Sequence, residues 1–309
     1  MIVVRAHSKE RMQSWFDIFE RELPGTKVVL WPDYGDPKDV EFVIASALPP
    51  GEFAKFTNLK FIASMAVGVE RLLGDETLPA HIPIVRSVNP ARGETMTEFA
   101  VLHTLRYARR LPDYEAHQRE ERWERLPDLA AEETGVGVMG LGNLGLMAAE
   151  RLRLFGYPVA GWVRNPRQAD GIEIFAGKER FHEFLARSRI VICLLPLTPE
   201  TRDILDAKAF AAMPRGGYLI NAGRGEQIVD TDLIAALDSG QLAGATLDVF
   251  RTEPLPAGHP FWRHPKITIT PHNAAATRLA HGADVVLDNI RRARAGQPLV
   301  NLVDKAAGY

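Results

Sequence analysis

Short apolar runs recur along the chain, and between them apolar residues return every three or four positions, so the pattern alternates between strand and amphipathic helix. Ile2-Val-Val-Arg-Ala6 reads as a strand, Lys9 to Glu22 as a helix with Met12, Trp15, Phe16 and Phe19 on one face, and Lys27-Val-Val-Leu-Trp31 as the next strand. Further strands are expected at Phe42-Val-Ile-Ala45, Leu59-Lys-Phe-Ile-Ala63 and Ile82-Pro-Ile-Val85, which makes residues 1–95 an α/β unit of their own. From Glu94 the spacing of Met96, Phe99, Leu102 and Leu105 predicts one helix of about 25 residues, long enough to bridge two domains. It ends in the charged stretch His117 to Arg125.

A second series begins with the apolar run Val136-Gly-Val-Met139. Helices are expected at Leu144 to Phe155, Glu179 to Ser188, Ala207 to Met213 and Thr231 to Asp238. Strands are expected at Pro158 to Val163, Ile190 to Leu195, Tyr218 to Ile220, Ala245 to Val249 and Ile267 to Thr270. Such alternation indicates a doubly wound parallel sheet. The last helix, Thr277 to Ala295, is long enough to carry the chain back to the first domain. The expected architecture is α/β with two Rossmann-like domains. Residues 1–95 begin a substrate domain, 96–276 form a dinucleotide-binding domain, and 277–309 are a return helix and tail that complete the first.

Charge and cysteine usage remove several function classes. The 309 residues carry 37 basic against 39 acidic side chains, so no global basic field draws the chain to nucleic acid or to an anionic membrane. No apolar run approaches about 18 residues and the amino terminus lacks a signal-peptide pattern, so a soluble cytoplasmic protein is expected. The one cysteine, Cys193, excludes an intrachain disulfide. Its setting in Ile190-Val-Ile-Cys-Leu-Leu195 points to a buried strand position rather than a catalytic thiol.

Gly140-Leu-Gly-Asn-Leu-Gly145 follows the first strand of the second series and opens a helix. The first two glycines allow a tight turn and close approach to a pyrophosphate, and the third lets helix and strand pack together. The helix then presents N–H groups and its positive end to the phosphates. The motif alone is also compatible with an S-adenosylmethionine site. In an open parallel sheet, however, ligands collect beyond the carboxyl ends of the strands. Three polar residues stand there: Arg224, Glu253 and His272. Singly they have ordinary explanations, as a turn arginine in a surface ion pair, a glutamate before a proline and a histidine capping a helix. Together they suit reduction of a keto acid. A guanidinium grips a carboxylate bidentately, an imidazolium gives a proton to the oxygen as hydride arrives, and Glu253 favours charged His272.

Two other stretches bear on ligands. In Ser64-Met-Ala-Val-Gly68-Val69 an apolar strand runs into a glycine that can expose successive N–H groups to an anion, or simply form a strand-to-helix turn. An NAD enzyme would place an acidic residue about 20 residues beyond the Gly-rich loop. Here the chain reads Gly161-Trp-Val-Arg164-Asn-Pro-Arg167, with two guanidiniums where a 2′-phosphate would need them. NADPH is therefore expected, with NADH weaker, the alternative being exposed loop arginines.

At these residues the chain resembles a known family. Gly140–Gly145, Leu195-Pro-Leu-Thr198, Asn221-Ala-Gly-Arg-Gly225, Leu247-Asp-Val-Phe-Arg-Thr-Glu-Pro-Leu255 and Thr270-Pro-His-Asn-Ala-Ala-Ala276 resemble, in order, the motifs of the D-2-hydroxyacid dehydrogenase family. Within it, Pro260-Phe-Trp-Arg-His-Pro265 and the ending Val303-Asp-Lys-Ala-Ala-Gly-Tyr309 are similar to the glyoxylate/hydroxypyruvate reductase branch. The resemblance implies an interdomain active-site cleft for a small 2-keto acid, with Arg224 as substrate clamp, His272 as proton donor and Glu253 as its partner. It implies that backbone N–H groups at Val67 and Gly68 hold the substrate carboxylate and that Asp248 lies near the nicotinamide carboxamide. Gly140, Gly142, Asn143, Leu144, Gly145, Leu195, Pro196 and Ala222 would contact the cofactor, with Arg164 and Arg167 at the 2′-phosphate. No metal is expected.

The resemblance also implies a homodimer in which Trp123 reaches towards the partner's active site, although a buried core tryptophan fits the sequence equally. Arg278 lines the substrate end or is simply solvated. One departure from the family is Glu70, where aspartate is more common. The implied activity is NADPH-dependent reduction of glyoxylate or hydroxypyruvate to glycolate or D-glycerate. The alternatives are a dehydrogenase for another 2-keto acid, such as phenylpyruvate, and a nucleotide-sensing corepressor-like binding protein on the same fold.

Overall fold

The computed structural model describes residues 1–5, 9–64, 68–86, 90–127, 129–275 and 279–305. The chain divides into two compact units, one of Met1–Ala91 with Thr277–Tyr309 and one of Arg92–Ala276. In the first unit, β1 (Ile2–Arg5), β2 (Val28–Leu30), β3 (Phe42–Ala45), β4 (Phe61–Ser64) and β5 (Ile84–Arg86) form a parallel sheet ordered β2-β1-β3-β4-β5. Neighbouring side chains of a strand point to opposite faces, and here both faces are apolar. Ile2, Val4, Phe42, Ile44, Phe61 and Ala63 enter one core with Trp15 and Phe19 of α1 (Lys9–Glu22). Val3, Val43, Ile62 and Ile84 enter the other, which includes Leu72 of the short helix α2 (Glu70–Leu73). A parallel sheet covered on both sides demands this near-continuous apolar pattern.

From Arg92 on, α3 (Pro90–Ala108) belongs to the second unit, as does α4 (Leu111–Arg119). Its sheet contains β6 (Val136–Met139), β7 (Val159–Val163), β8 (Glu173–Ala176), β9 (Ile190–Cys193), β10 (Gly217–Asn221), β11 (Leu242–Leu247) and β12 (Ile267–Ile269). All are parallel, in the order β12-β11-β10-β9-β6-β7-β8. Helices α5 (Asn143–Leu154), α6 (Phe181–Arg187), α7 (Ala207–Ala212) and α8 (Asp230–Asp238) complete the β-α series. Because β6 starts in the middle and the order runs outwards both ways, the switch point lies between β6 and β9, where such sheets bind their ligands. The last helix, α9 (Leu279–Arg294), belongs to the first unit, where Ala283, Val286, Leu287 and Ile290 join Trp15 and Phe19 in the core. The tail follows it, with Leu302 bridging Val85 antiparallel and the Val303 N–H donating to the Ile84 carbonyl at 2.9 Å.

Two sequence expectations change. The single long helix from Glu94 is two helices, broken where Arg110 adopts φ 54° and Pro112 enters the first turn of α4 without an N–H for the ladder. The apolar spacing continues across the break, which hides it. The second change is β8, an additional edge strand paired only with β7. No helix separates β7 from β8, so the β-α rhythm that signals the other strands is absent there. An edge strand with one exposed residue, Glu173, also lacks the fully apolar run of its neighbours.

Candidate active site

Adjacent strands β10, β11 and β12 end at one edge of the second sheet, and the segments leaving them carry Arg224, Glu253 and His272. The turn after β10 is closed by Asn221, whose side chain is fully buried. Its Oδ1 accepts the Gly223 N–H at 3.0 Å and its Nδ2 donates to the Arg224 carbonyl at 3.0 Å, so one carboxamide replaces a backbone turn on both sides. The Arg224 backbone is extended, its N–H donates to Gln227 Oε1 at 2.8 Å, and its guanidinium donates to the Gly223 carbonyl at 2.6 Å. Next comes Gly225, where an added Cβ would lie 1.9 Å from the Phe250 carbonyl carbon. The loops of Arg224 and Glu253 approach this closely because no side chain stands between them.

Glu253 is fixed at both oxygens. Oε1 accepts the Phe250 N–H at 3.0 Å, and Oε2 lies 2.7 Å from His272 Nδ1. His272 holds a φ of 53°, and its N–H donates to the carbonyls of Asp248 at 2.9 Å and Thr270 at 3.0 Å. A left-handed backbone at a non-glycine residue needs such fixed partners. The hydrogen bond that His272 donates to Glu253 is the main cause that raises the His272 pKa above its usual value, aided by the Glu253 charge, against burial and the Arg224 charge. Burial acts most strongly on Glu253 and pushes its pKa up, but the His272 and Phe250 hydrogen bonds and the charges of His272 and Arg224 together bring it below the usual carboxylate value. The pair therefore favours imidazolium beside carboxylate.

Asp248 is buried, and its carboxylate holds the same loop. Oδ1 accepts the Thr270 hydroxyl at 2.6 Å and the Asn273 N–H at 2.9 Å, and Oδ2 accepts the Ala274 N–H at 3.0 Å. The strand end bearing His272 is thus bound on three sides to the strand end of β11.

At the switch point, Gly140 has φ 91°, a conformation glycine adopts without steric cost. A Cβ at Gly145 would lie 1.9 Å from the Gly140 carbonyl oxygen, so the turn and α5 can pack together only through glycine. At Gly142, the N-cap of α5, an added Cβ would meet nothing within 4 Å. The chain there borders an open cradle, and Asn143, Leu144 and Gly145 supply first-turn N–H groups without intrahelical acceptors. This fits a pyrophosphate.

Arg164 and Arg167 are exposed after β7, and the Arg167 guanidinium donates to the Leu141 carbonyl within the Gly-rich loop. Residues 164–169 contain no carboxylate. Leu195 is buried and Pro196 half-buried after β9, while the Ala222 N–H donates to the Cys193 carbonyl at 3.1 Å.

The remaining sequence candidates are more scattered. Gly68 is half-buried, its carbonyl 3.5 Å from Ser64 Oγ and two residues before α2. Val67 and Arg278 lie outside the described residues. Trp123 is 103% exposed, which overturns the buried-core alternative. It sits among Glu120, Glu121, Arg122, Glu124 and Arg125, all exposed, and this charged segment offers no core to enter. Gln227, absent from the sequence candidates, is fully buried beside Arg224. The only sequence signal for it is a polar side chain just before the apolar pair Ile228-Val229. Among the described residues no cluster of His, Cys, Asp or Glu could hold a metal ion, and no helix is long and apolar enough to cross a membrane.

Residues 101–274 match the family model for the NAD-binding domain of D-isomer specific 2-hydroxyacid dehydrogenases. Over an alignment of 314 residues spanning 100% of both chains, the protein is 38% identical to a glyoxylate/hydroxypyruvate reductase A of Serratia proteamaculans. Among solved structures it is similar to a D-isomer specific 2-hydroxyacid dehydrogenase from Xanthobacter autotrophicus in complex with NADPH and MES, with a TM-score of 0.94, 39% identity and coverage of 100% and 99% of the two chains. An NADPH-dependent glyoxylate/hydroxypyruvate reductase from Sinorhizobium meliloti, in complex with NADP and sulfate, gives a TM-score of 0.92 at 34% identity, covering 100% and 99%.

Proposed function

Because the chain belongs to the D-isomer specific 2-hydroxyacid dehydrogenase family, we propose that it is an NADPH-dependent reductase that converts glyoxylate to glycolate and hydroxypyruvate to D-glycerate. The observation that carries this reading is the 2.7 Å contact of Glu253 Oε2 with His272 Nδ1, at the sheet edge that also bears Arg224. With Nδ1 held by the carboxylate, Nε2 is the nitrogen that gives a proton to the keto oxygen. Arg224 grips the substrate carboxylate and polarises the adjacent carbonyl. When bound, NADPH supplies the hydride.

Gly140, Gly142, Asn143, Leu144 and Gly145 would hold its pyrophosphate and Arg164 and Arg167 its 2′-phosphate, Asp248 would lie near its nicotinamide carboxamide, and Leu195, Pro196 and Ala222 would lie along it. NADH is the weaker cofactor, because residues 164–169 offer its ribose hydroxyls no carboxylate. In this reading residues 1–95 and 277–309 form the substrate domain and residues 96–276 the dinucleotide domain. The enzyme works as a homodimer, which the fully exposed Trp123 supports, since a large aromatic ring in water gains by being covered. We assign it to the cytoplasm, where reduced nicotinamide is regenerated.

Initial rates of NADPH and NADH oxidation against glyoxylate, hydroxypyruvate, pyruvate and phenylpyruvate test the proposal. NADPH with the first two should be fastest. A preference for phenylpyruvate or pyruvate would reassign the substrate, and no oxidation with any of them would favour a binding protein.

A further inference from the structure

Between the loop after β9 and the turn after β10 lies one side chain that touches both. Gln227 is fully buried, and its carboxamide makes four hydrogen bonds. Nε2 donates to the Leu195 carbonyl at 2.9 Å and to the Pro196 carbonyl at 3.2 Å. Oε1 accepts the Arg224 N–H at 2.8 Å and the Cys193 Sγ–H at 3.2 Å. A primary amide has two donor hydrogens and two acceptor lone pairs, so its capacity is filled. The partners also fix which way the amide points: two carbonyls require the nitrogen on one side, and an N–H and a thiol require the oxygen on the other.

The surrounding chain is shaped around this group. A Cβ at Gly223 would lie 2.4 Å from Gln227 Oε1 and 3.0 Å from the Leu195 carbonyl oxygen, so any larger residue would push the amide out of the junction. Burial drives the Cys193 pKa up to about 12, against a weaker pull from the Leu195 N–H, so the thiol stays protonated and remains a donor. The main-chain carbonyl of Gln227 in turn accepts the Leu205 N–H at 2.9 Å. A buried polar network with every member satisfied has one low-energy arrangement and resists small displacements.

We infer that Gln227 is a positioning residue that locks the Leu195–Pro196 segment to Arg224, so that cofactor and substrate clamp are held in register by one amide. The inference rests on the reductase reading for the roles of the two segments it joins. Hydride transfer depends steeply on the separation of donor and acceptor, and a misplacement of about 1 Å can cost about 100-fold. A side chain of the same length without the amide would leave both loops folded but uncoupled.

The test compares wild type with Gln227→Met and Gln227→Glu, and with Leu237→Val as a stability control. Leu237 is buried in α8, and its carbonyl accepts from Lys266 just before β12, at the opposite sheet edge from Arg224. For each variant kcat, both KM values, the NADPH Kd by fluorescence and the melting temperature are measured. Gln227→Met should lower kcat about 10- to 100-fold and raise the NADPH Kd severalfold, while Leu237→Val keeps kcat within about twofold at a similar melting temperature.

In Gln227→Glu the ionised carboxylate can donate to neither Leu195 nor Pro196, whereas the protonated acid has one O–H and restores one of the two bonds. Its kcat relative to wild type should therefore rise as pH falls. If Gln227→Met does not fold, this pH-dependent recovery decides the matter. Kinetic constants within twofold of wild type in Gln227→Met, an equal loss in Leu237→Val, or a pH-independent ratio for Gln227→Glu would overturn the inference. Should wild type turn over no keto acid, the reductase reading fails by itself, and an NADPH Kd unchanged in Gln227→Met would separately overturn the coupling.

Discussion

His272 Nδ1 lies 2.7 Å from Glu253 Oε2, which leaves Nε2 as the ring nitrogen positioned to exchange a proton. Because this contact raises the His272 pKa, the imidazolium persists above the pH near 6.5 at which an unperturbed histidine loses its charge. In the proposed mechanism reduction consumes that proton, so kcat/KM for the keto acid should stay level at low pH and fall as pH rises through the raised value. By the same mechanism oxidation of the hydroxy acid would need neutral His272 and should show the opposite limb. Glu253→Gln should move the fall to lower pH, and an identical profile in that variant would separate Glu253 from the proton donor. His272→Gln should lower kcat by about 10²–10⁴ with NADPH binding retained.

Asp248 offers a second handle on the same loop. Its carboxylate accepts from Thr270, Asn273 and Ala274, and an amide would turn one acceptor into a donor facing an N–H or hydroxyl. Asp248→Asn should therefore lower unfolding stability by about 1–3 kcal/mol and lower kcat through displacement of His272. Chemical denaturation and initial rates read the two effects, and an unchanged midpoint together with an unchanged rate would rule out this anchoring.

The arginines after β7 make a prediction about cofactor choice. Hydrogen bonds to a charged partner contribute about 1.5–3 kcal/mol, equivalent to roughly 10- to 100-fold in affinity. Arg164→Gln combined with Arg167→Gln should weaken NADPH by that factor while NADH changes little. Equal weakening of both dinucleotides would mean that the guanidiniums do not read the 2′-phosphate.

His103 predicts acid sensitivity of the fold itself. Its Nδ1 lies 3.2 Å from the Thr246 hydroxyl, which also meets the Tyr107 hydroxyl at 2.7 Å. Burial, helped by the Arg106 charge and opposed by Asp248, pushes the His103 pKa down to about 4. Between pH 6.5 and 4 the unfolded chain therefore binds a proton that the folded chain refuses, and stability falls as pH falls. Urea unfolding should show about 2 kcal/mol lost from pH 7 to pH 5 through this group. His103→Asn should remove that part of the slope, and a wild-type slope retained in the variant would contradict the assignment.

The sequence shows most clearly what repeats. Fully apolar runs such as Phe42–Ala45 and Ile190–Cys193 announce strands because both faces of each sheet are covered. Where the regular alternation lapses, the reading lapses too: Glu173–Ala176 follows no helix, and Arg110 breaks a helix whose apolar spacing carries on. Arg224, Glu253 and His272 are legible because each stands just past a recognisable strand in a distinctive setting. Gln227 is not, because whether a glutamine is solvated or buried with four partners depends on a rotamer and on loops far away in the chain. Asp248 is visible as a residue near the site, but its bonds to Thr270, Asn273 and Ala274 come from strand register, which one-dimensional spacing does not encode.

The protonated, fully buried Cys193 gives the protein a built-in chemical clock. It is the one thiol in the chain, so any reaction with a thiol reagent reports on a single site without competing signals. The sulfur can react only when the end of β9 opens, and when reclosing outpaces reaction the labelling rate measures the free energy of that opening. A ligand that binds only the closed form slows labelling by the factor 1 + [L]/Kd. Labelling rates over a cofactor titration would thus yield binding constants from the native chain, with no engineered probe and no turnover.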